Sequence, residues 1–234
     1  MKYDYIIVGA GSAGCVIANR LSEDPSTQVL LIEAGGSDRR FFIQMPIGYG
    51  VTYHQKAVNW MYMTEPSPDA DNKPSYWPRG KVMGGSSSIN AMVYVRGNSR
   101  DFDQWSEAGN PGWSYSDVLP YFKKMESWQN GPDDYRGGDG PLNVSEVSEQ
   151  LHPLCQNFLS AAQEIGIGLN KDMNGATQEG VGNYQITTHK GQRMSSSRAY
   201  LWPIKGRTNL TIIKNAQATK ILTQDKKAFG IEYK

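Results

Sequence analysis

A short apolar run, Tyr5-Ile6-Ile7-Val8, leads without a spacer into Gly9-Ala10-Gly11-Ser12-Ala13-Gly14, and this junction constrains the fold more than any other feature of the chain. A four-residue apolar run stopped by glycine has the pattern of a buried strand. Cys15 to Leu21 then has helical spacing and stops near Asp24-Pro25-Ser26. Gln28 to Glu33 restores a buried-strand pattern and ends in an acid. Strand, glycine turn, helix and strand within about 30 residues form a βαβ unit with parallel strands and a right-handed crossover. The expected fold class is therefore α/β, with a Rossmann-like nucleotide-binding half.

Each glycine of the turn has a separate task. Gly9 allows the tight turn, Gly11 lets backbone amides approach a pyrophosphate, and Gly14 lets the helix pack close to the strand. The helix N-terminus adds partial positive charge for phosphates. Glu33 follows Gly14 at about the 20-residue spacing at which a carboxylate accepts from the ribose hydroxyls of an adenosine and repels a 2′-phosphate. The string alone is also compatible with a plain tight turn; its placement between two strands points to a dinucleotide.

Composition removes several other classes. The 234 residues carry 24 Lys+Arg against 23 Asp+Glu, a formal net charge of +1, so no overall field draws the chain to nucleic acid or an anionic membrane. The 25 Gly and 12 Pro fall well below low-complexity levels. No window approaches a membrane span, and the N-terminus lacks the apolar core of a signal peptide. Cys15 and Cys155 stand far apart with no CxxC or CxxH around them, which suits reduced thiols and a cytoplasmic location.

Beyond Glu33 the chain becomes loop-rich. A helix is expected from a cap at Ser116 to Met125, and Gly131 to Pro141 (GPDDYRGGDGP) reads as a long surface turn. His152 to Ile165 has helical periodicity, with Pro153 in the first turn and Gly166 at the stop. Val181 to Thr188 and Leu210 to Ile213 read as strands. Ala218 to Leu222 and Ala228 to Tyr233 read as a hairpin around Asp225-Lys226-Lys227. Boundaries are expected near 145 and 205.

A second glycine-rich segment, Gly80-Lys81-Val82-Met83-Gly84-Gly85-Ser86-Ser87-Ser88-Ile89-Asn90, offers many backbone and hydroxyl donors without bulk, suited to phosphates and a planar ring. It continues into the apolar run Ala91 to Val95, expected to be buried. With the first motif, this segment resembles the first signature of the glucose–methanol–choline family of flavin-dependent oxidoreductases. EAGG after the second strand, NWMYMTEP, GWSYSDVLPYFKKME and GQRMSSSRAYLWP extend the resemblance over nearly the whole chain, towards choline dehydrogenase-like alcohol dehydrogenases.

The resemblance implies FAD. Gly9, Gly11, Ser12, Ala13 and Gly14 would hold its pyrophosphate, and Glu33 and Ala34 would meet the adenosine ribose. Trp60, Gly80, Val82, Gly84, Gly85, Asn90, Ala91, Met92 and Val93 would line the phosphates and flavin, and the backbone at Ala218 would pair with the adenine. Ile89 stands where some relatives have a flavin-tethering His, so binding would be non-covalent. The implied layout is an FAD-binding domain over 1–145 and again over 206–234, with the start of a substrate domain over 146–205.

The implied reaction passes hydride from the CH–OH of an alcohol to flavin while a base takes the hydroxyl proton; His suits that base. The electrons would pass to oxygen or a quinone-like acceptor. His54, His152 and His189 do not match the family's catalytic His, and each reads as structural or surface. That residue and the second family signature are expected beyond Lys234, so the chain reads as an N-terminal portion. A hydroxynitrile lyase or a catalytically silent FAD-binding protein on the same fold stays open. The sequence does not speak to oligomeric state.

Overall fold

A computed structural model describes residues 2–234. The chain divides into two compact units, one comprising the segment up to Ala91 with Gly191–Lys234, the other Met92–Lys190. These breaks lie at 91/92 and 190/191, whereas the sequence suggested 145 and 205. Pairing accounts for the difference. Glu126–Trp128 pairs in parallel with Leu142–Val144, and Ser145 exchanges backbone hydrogen bonds with Ile186, so the chain around 145 is tied on both sides.

The first unit is built on the βαβ start. Strand β1 (Tyr5–Val8), helix α1 (Ser12–Leu21) and strand β2 (Val29–Glu33) follow one another as read from the sequence. Leu210–Lys214 pairs in parallel with β2 on the side opposite β1, so β2 lies in the middle of a three-stranded parallel sheet. Its five residues VLLIE are all buried, the continuous apolar pattern of a strand covered on both faces. Asn19 of α1 donates to the Tyr200 carbonyl at 2.7 Å, tying the helix to the later segment of this unit.

β1 departs from the buried strand that its composition suggested. Tyr5 is 50% and Val8 53% exposed, because β1 is hydrogen-bonded only to β2 and its side chains line an open groove with Ile221 and Phe229. The hairpin of Ala218–Gln224 and Lys227–Tyr233 forms as read. Its turn places Asp225 (φ 49) and Lys226 (φ 62) in the left-handed region, the geometry whose twist suits a two-residue hairpin.

The second unit has helices at Ser99–Glu107, Tyr115–Met125 and Leu154–Glu164. The middle helix is capped by Ser114 and not by Ser116: Ser114 and Asp117 form a reciprocal capping box two residues earlier. The expected strand at 181–188 is reduced to the short segments Gln185–Ile186 and Thr188–His189. The run from Ala91 to Val95 is half-buried rather than buried. Met92 and Tyr94 face inward while Val93 and Val95 are 51% and 43% exposed, the alternation of a strand with one covered face.

The expected surface turn at 131–141 is also corrected. Arg136 within it is fully buried, donating to Glu126 at 2.6 Å and to Asp172 at 2.7 Å. Glu126, itself fully buried, also accepts from Arg96 at 2.6 Å and from the Gly137 amide at 3.0 Å. A buried carboxylate with two guanidiniums and a backbone donor is compensated, and its neighbours Tyr94, Trp128 and Val144 form the local apolar core.

Candidate functional site

The glycine turn at the C-terminal end of β1 opens onto a cavity of about 560 Å³ within the first unit. Two of its glycines differ in what surrounds them. A Cβ on Gly14 would lie 2.0 Å from the Gly9 carbonyl oxygen, so the close packing of α1 on the turn admits no side chain there. A Cβ on Gly11 would meet nothing within 4 Å, although Gly11 lines the cavity. The protein's own packing does not need a glycine at 11. Gly11 instead leaves its backbone bare on the cavity wall.

Glu33 occupies the end of β2 and lines the same cavity. It is 6% exposed, and each carboxylate oxygen already accepts a backbone amide: Oε2 from Ala10 at 2.8 Å and Oε1 from Gly35 at 2.8 Å. The side chain thus holds the first turn against the loop after β2. Each oxygen has a second lone pair, leaving acceptor capacity for hydroxyls.

The opposite wall comes from the second glycine segment. Gly80 and Gly85 line the cavity, and the Gly84 amide donates to the Ala10 carbonyl at 2.7 Å, which joins the two glycine motifs. Trp60 lies on this wall, stacked on Tyr62 (centroids 5.8 Å apart, 7° between planes) with the Lys81 ammonium 4.5 Å from its ring centre. Ala218 closes one end. Gln217 and Lys234 exchange both backbone hydrogen bonds, so in the antiparallel alternation the backbone groups of Ala218 point away from its partner strand.

Of the residues singled out from sequence, Gly9, Gly11, Ser12, Glu33, Ala34, Trp60, Gly80, Gly85 and Ala218 line this one cavity. Ala13 and Gly14 form the first turn of α1 behind its rim. Val82 turns inward to pack with Ile43, Val58 and Ile89, and Gly84 is buried below the wall. Asn90 and Ala91 are exposed without lining the cavity, and Met92 and Val93 belong to the second unit. The sequence reading missed Tyr62, Arg79, Ser86 and Gln217, which also line it. Tyr62 reaches the cavity through a left-handed backbone at Met61 (φ 55), which no strand periodicity in the sequence shows.

Among the described residues no histidine lines the cavity. His54 stacks on Tyr76, with centroids 5.7 Å apart, and Nδ1 of His152 accepts from the Leu154 amide at its helix start. Cys15, beneath the turn, donates its thiol to the Ala10 carbonyl at 3.2 Å. Burial pushes that thiol up to about 12, so it stays protonated and unreactive near neutral pH. No group of three or more His, Cys, Asp or Glu among the described residues is placed to hold a metal ion, and no helix is long and apolar enough to cross a membrane.

The family model described as GMC oxidoreductase matches residues 3–234. The chain belongs to that family. Among curated relatives of this GMC chain, the alcohol dehydrogenase [acceptor] of Pseudomonas putida is 50% identical over 232 residues, which is 99% of this chain and 42% of that protein. The oxygen-dependent choline dehydrogenase of Photobacterium profundum is 49% identical over 231 residues, 98% of this chain and 41% of that protein. A solved FAD-dependent oxidoreductase from Chaetomium thermophilum superposes with a TM-score of 0.90 at 33% identity, covering 99% of this chain and 42% of the other. The GMC chain thus spans about two fifths of the length of the relatives it matches.

Proposed function

We propose that the cavity holds the ADP half of FAD and that the protein oxidises the CH–OH group of an alcohol, choline or another primary alcohol, to the aldehyde. The observation that carries this reading is the Gly11 position, open where its own packing would accept a side chain, beside Glu33 on a cavity also lined by a second glycine segment. Gly9, Gly11, Ser12, Ala13 and Gly14 would hold the pyrophosphate with the α1 N-terminus, Glu33 and Ala34 would receive the ribose, the backbone of Ala218 would receive the adenine, and Trp60 would lie along the phosphates and flavin. Gly80, Val82, Gly84, Gly85, Asn90, Ala91, Met92 and Val93 would form the remainder of the cofactor site. When bound, FAD supplies a hydride acceptor for the alcohol carbon.

The chain's own contribution is to position and to shield. Glu33 keeps the two loops at fixed separation, and the amides at the start of α1 offset the phosphate charge. Ile89 is 3% exposed in an apolar cluster and offers no nucleophile, which supports non-covalent retention. Leu210–Lys214 pairs with β2, which supports the return of the chain after 206 to the cofactor-binding part. The relatives named for choline and for alcohol with an acceptor support the alcohol class and an acceptor such as oxygen or a quinone. No residue of this chain is assigned the role of base.

The protein loaded with FAD tests the reading anaerobically. Choline or a short primary alcohol is expected to bleach the visible flavin band, and aldehyde is expected in equal amount. Bound flavin that no alcohol reduces would refute the oxidoreductase reading and favour the lyase or silent alternatives.

A further inference from the structure

The segment from Arg193 to Leu201, within the string GQRMSSSRAYLWP, lines no part of the cavity, yet it holds structures on both of its sides. Towards its end, the Tyr200 carbonyl accepts from Asn19 of α1, the helix that follows the first glycine turn, at 2.7 Å. Towards its start, the Ser196 amide donates to Ser87 Oγ at 3.0 Å and Arg193 donates to the Ser87 carbonyl at 3.2 Å. Ser197 Cβ lies 3.2 Å from the point where a Cβ on Gly84 would stand. One segment therefore braces α1 and the second glycine loop together.

The Ser87 hydroxyl is the joint of this brace. It accepts from the Ser196 amide and donates to the Gly84 carbonyl at 2.6 Å, a double task open to a hydroxyl because it is both donor and acceptor. The Gly84 amide donates in turn to the Ala10 carbonyl at 2.7 Å, and the Ala10 amide to Glu33 at 2.8 Å. A line of hydrogen bonds thus runs from Ser196 through both glycine motifs to the carboxylate on the cavity wall. The backbone at the joint is demanding. Gly84 (φ 87) and Gly85 (φ 56) are both left-handed, and a Cβ on Gly85 would lie 2.7 Å from Gly11 Cα. Gly11 and Gly85 both line the cavity, so their contact sets the spacing of its two glycine walls. Without the hydroxyl, the Ser196 amide and the Gly84 carbonyl lose their shared partner and the loop is freer to move off Gly11.

We propose that Ser87 is a positioning residue for the cofactor, its hydroxyl holding the second glycine loop against Gly11 so that both loops meet the diphosphate of the bound dinucleotide together. The inference rests on the FAD reading above. Ser87 itself does not line the cavity and acts through Gly84 and Gly85.

The test is titration of the cofactor-free protein with FAD, wild type against S87A, S87C and S87T, at a temperature where circular dichroism shows each to be fully folded. S87A is expected to bind FAD about tenfold more weakly, the scale of one hydrogen bond lost from the support of the site. S87T keeps the hydroxyl and is expected to return to within about threefold of wild type. S87C offers only a weak donor at similar size and is expected to fall between S87A and wild type. If S87A does not fold, S87C against S87T carries the same comparison. A merely structural Ser87 would lower the melting temperature of S87A while leaving the FAD affinity of the folded protein unchanged. Unchanged affinity in S87A and S87C, or no recovery in S87T, overturns the positioning role alone. Wild-type protein that binds no FAD overturns the FAD reading and the positioning role with it.

Discussion

Replacing Glu33 by Gln separates its two tasks. The carboxylate accepts the Ala10 amide on one oxygen and the Gly35 amide on the other, each at 2.8 Å and both in a buried setting. Gln keeps a single oxygen, so one amide loses its acceptor and meets an NH2 donor. A hydrogen bond to a charged group contributes about 1.5–3 kcal/mol, and an unsatisfied buried donor costs about 1–3 kcal/mol. A loss of about 2 kcal/mol is therefore expected before any cofactor is added, a fall of about 4–8 °C in melting temperature at this chain length. Glu33→Ala strands both amides and should cost about twice as much. The assay is thermal unfolding of cofactor-free protein, followed by the same scan with FAD in excess, where E33Q should also show a smaller stabilisation. A melting temperature for E33Q within about 1 °C of wild type would refute the claim that this side chain holds the two loops together.

Three further perturbations check other parts of the structure. Gly14→Ala should unfold or sharply destabilise the protein, since its Cβ would lie 2.0 Å from the Gly9 oxygen, whereas Gly11→Ala should leave cofactor-free stability unchanged and weaken FAD binding at least tenfold by titration. Equal effects of the two on apo stability would contradict the division of labour. Glu126→Gln leaves Arg96 and Arg136 without their shared charge and should cost about 3–5 kcal/mol, seen as a lower urea midpoint for the second unit; an unchanged midpoint would show that the buried network is dispensable. Burial holds the Asp38 carboxyl above its ordinary range. The folded chain then binds that proton more tightly than the unfolded one, so this group's contribution to stability falls as pH rises from about 4 through its folded value. Asp38→Asn should gain on wild type as pH rises above about 4, and a difference in stability that does not change with pH there would count against it.

The βαβ start was legible because each local signal agreed with the next: apolar run, glycine turn, helical spacing and terminal acid all describe one supersecondary unit, and most of the cavity lining follows from it. The hairpin was legible for the same reason, Asp225 and Lys226 being able to take left-handed turn positions. What sequence did not show was long-range. Arg136 lies in a segment rich in Gly, Asp and Pro and reads as surface, but its partners are 10 and 36 residues away, and only their meeting makes burial tolerable. The exposure of β1 was hidden likewise, since apolar composition does not tell how many neighbours a strand has. Val82 was assigned to the cofactor by its place in a motif, while its side chain belongs to the apolar cluster behind the cavity. Glu33 was read as a ligand acceptor alone because the two amides it holds become neighbours only after the turn closes.

The account depends on the cavity being a site for FAD, and the visible spectrum of the purified protein after incubation with FAD and gel filtration tests that most directly. A flavin band co-eluting with the protein at close to one equivalent, and lost in Gly11→Val, is the expected result. Flavin that elutes wholly in the small-molecule volume, with wild type and variant indistinguishable, would contradict it.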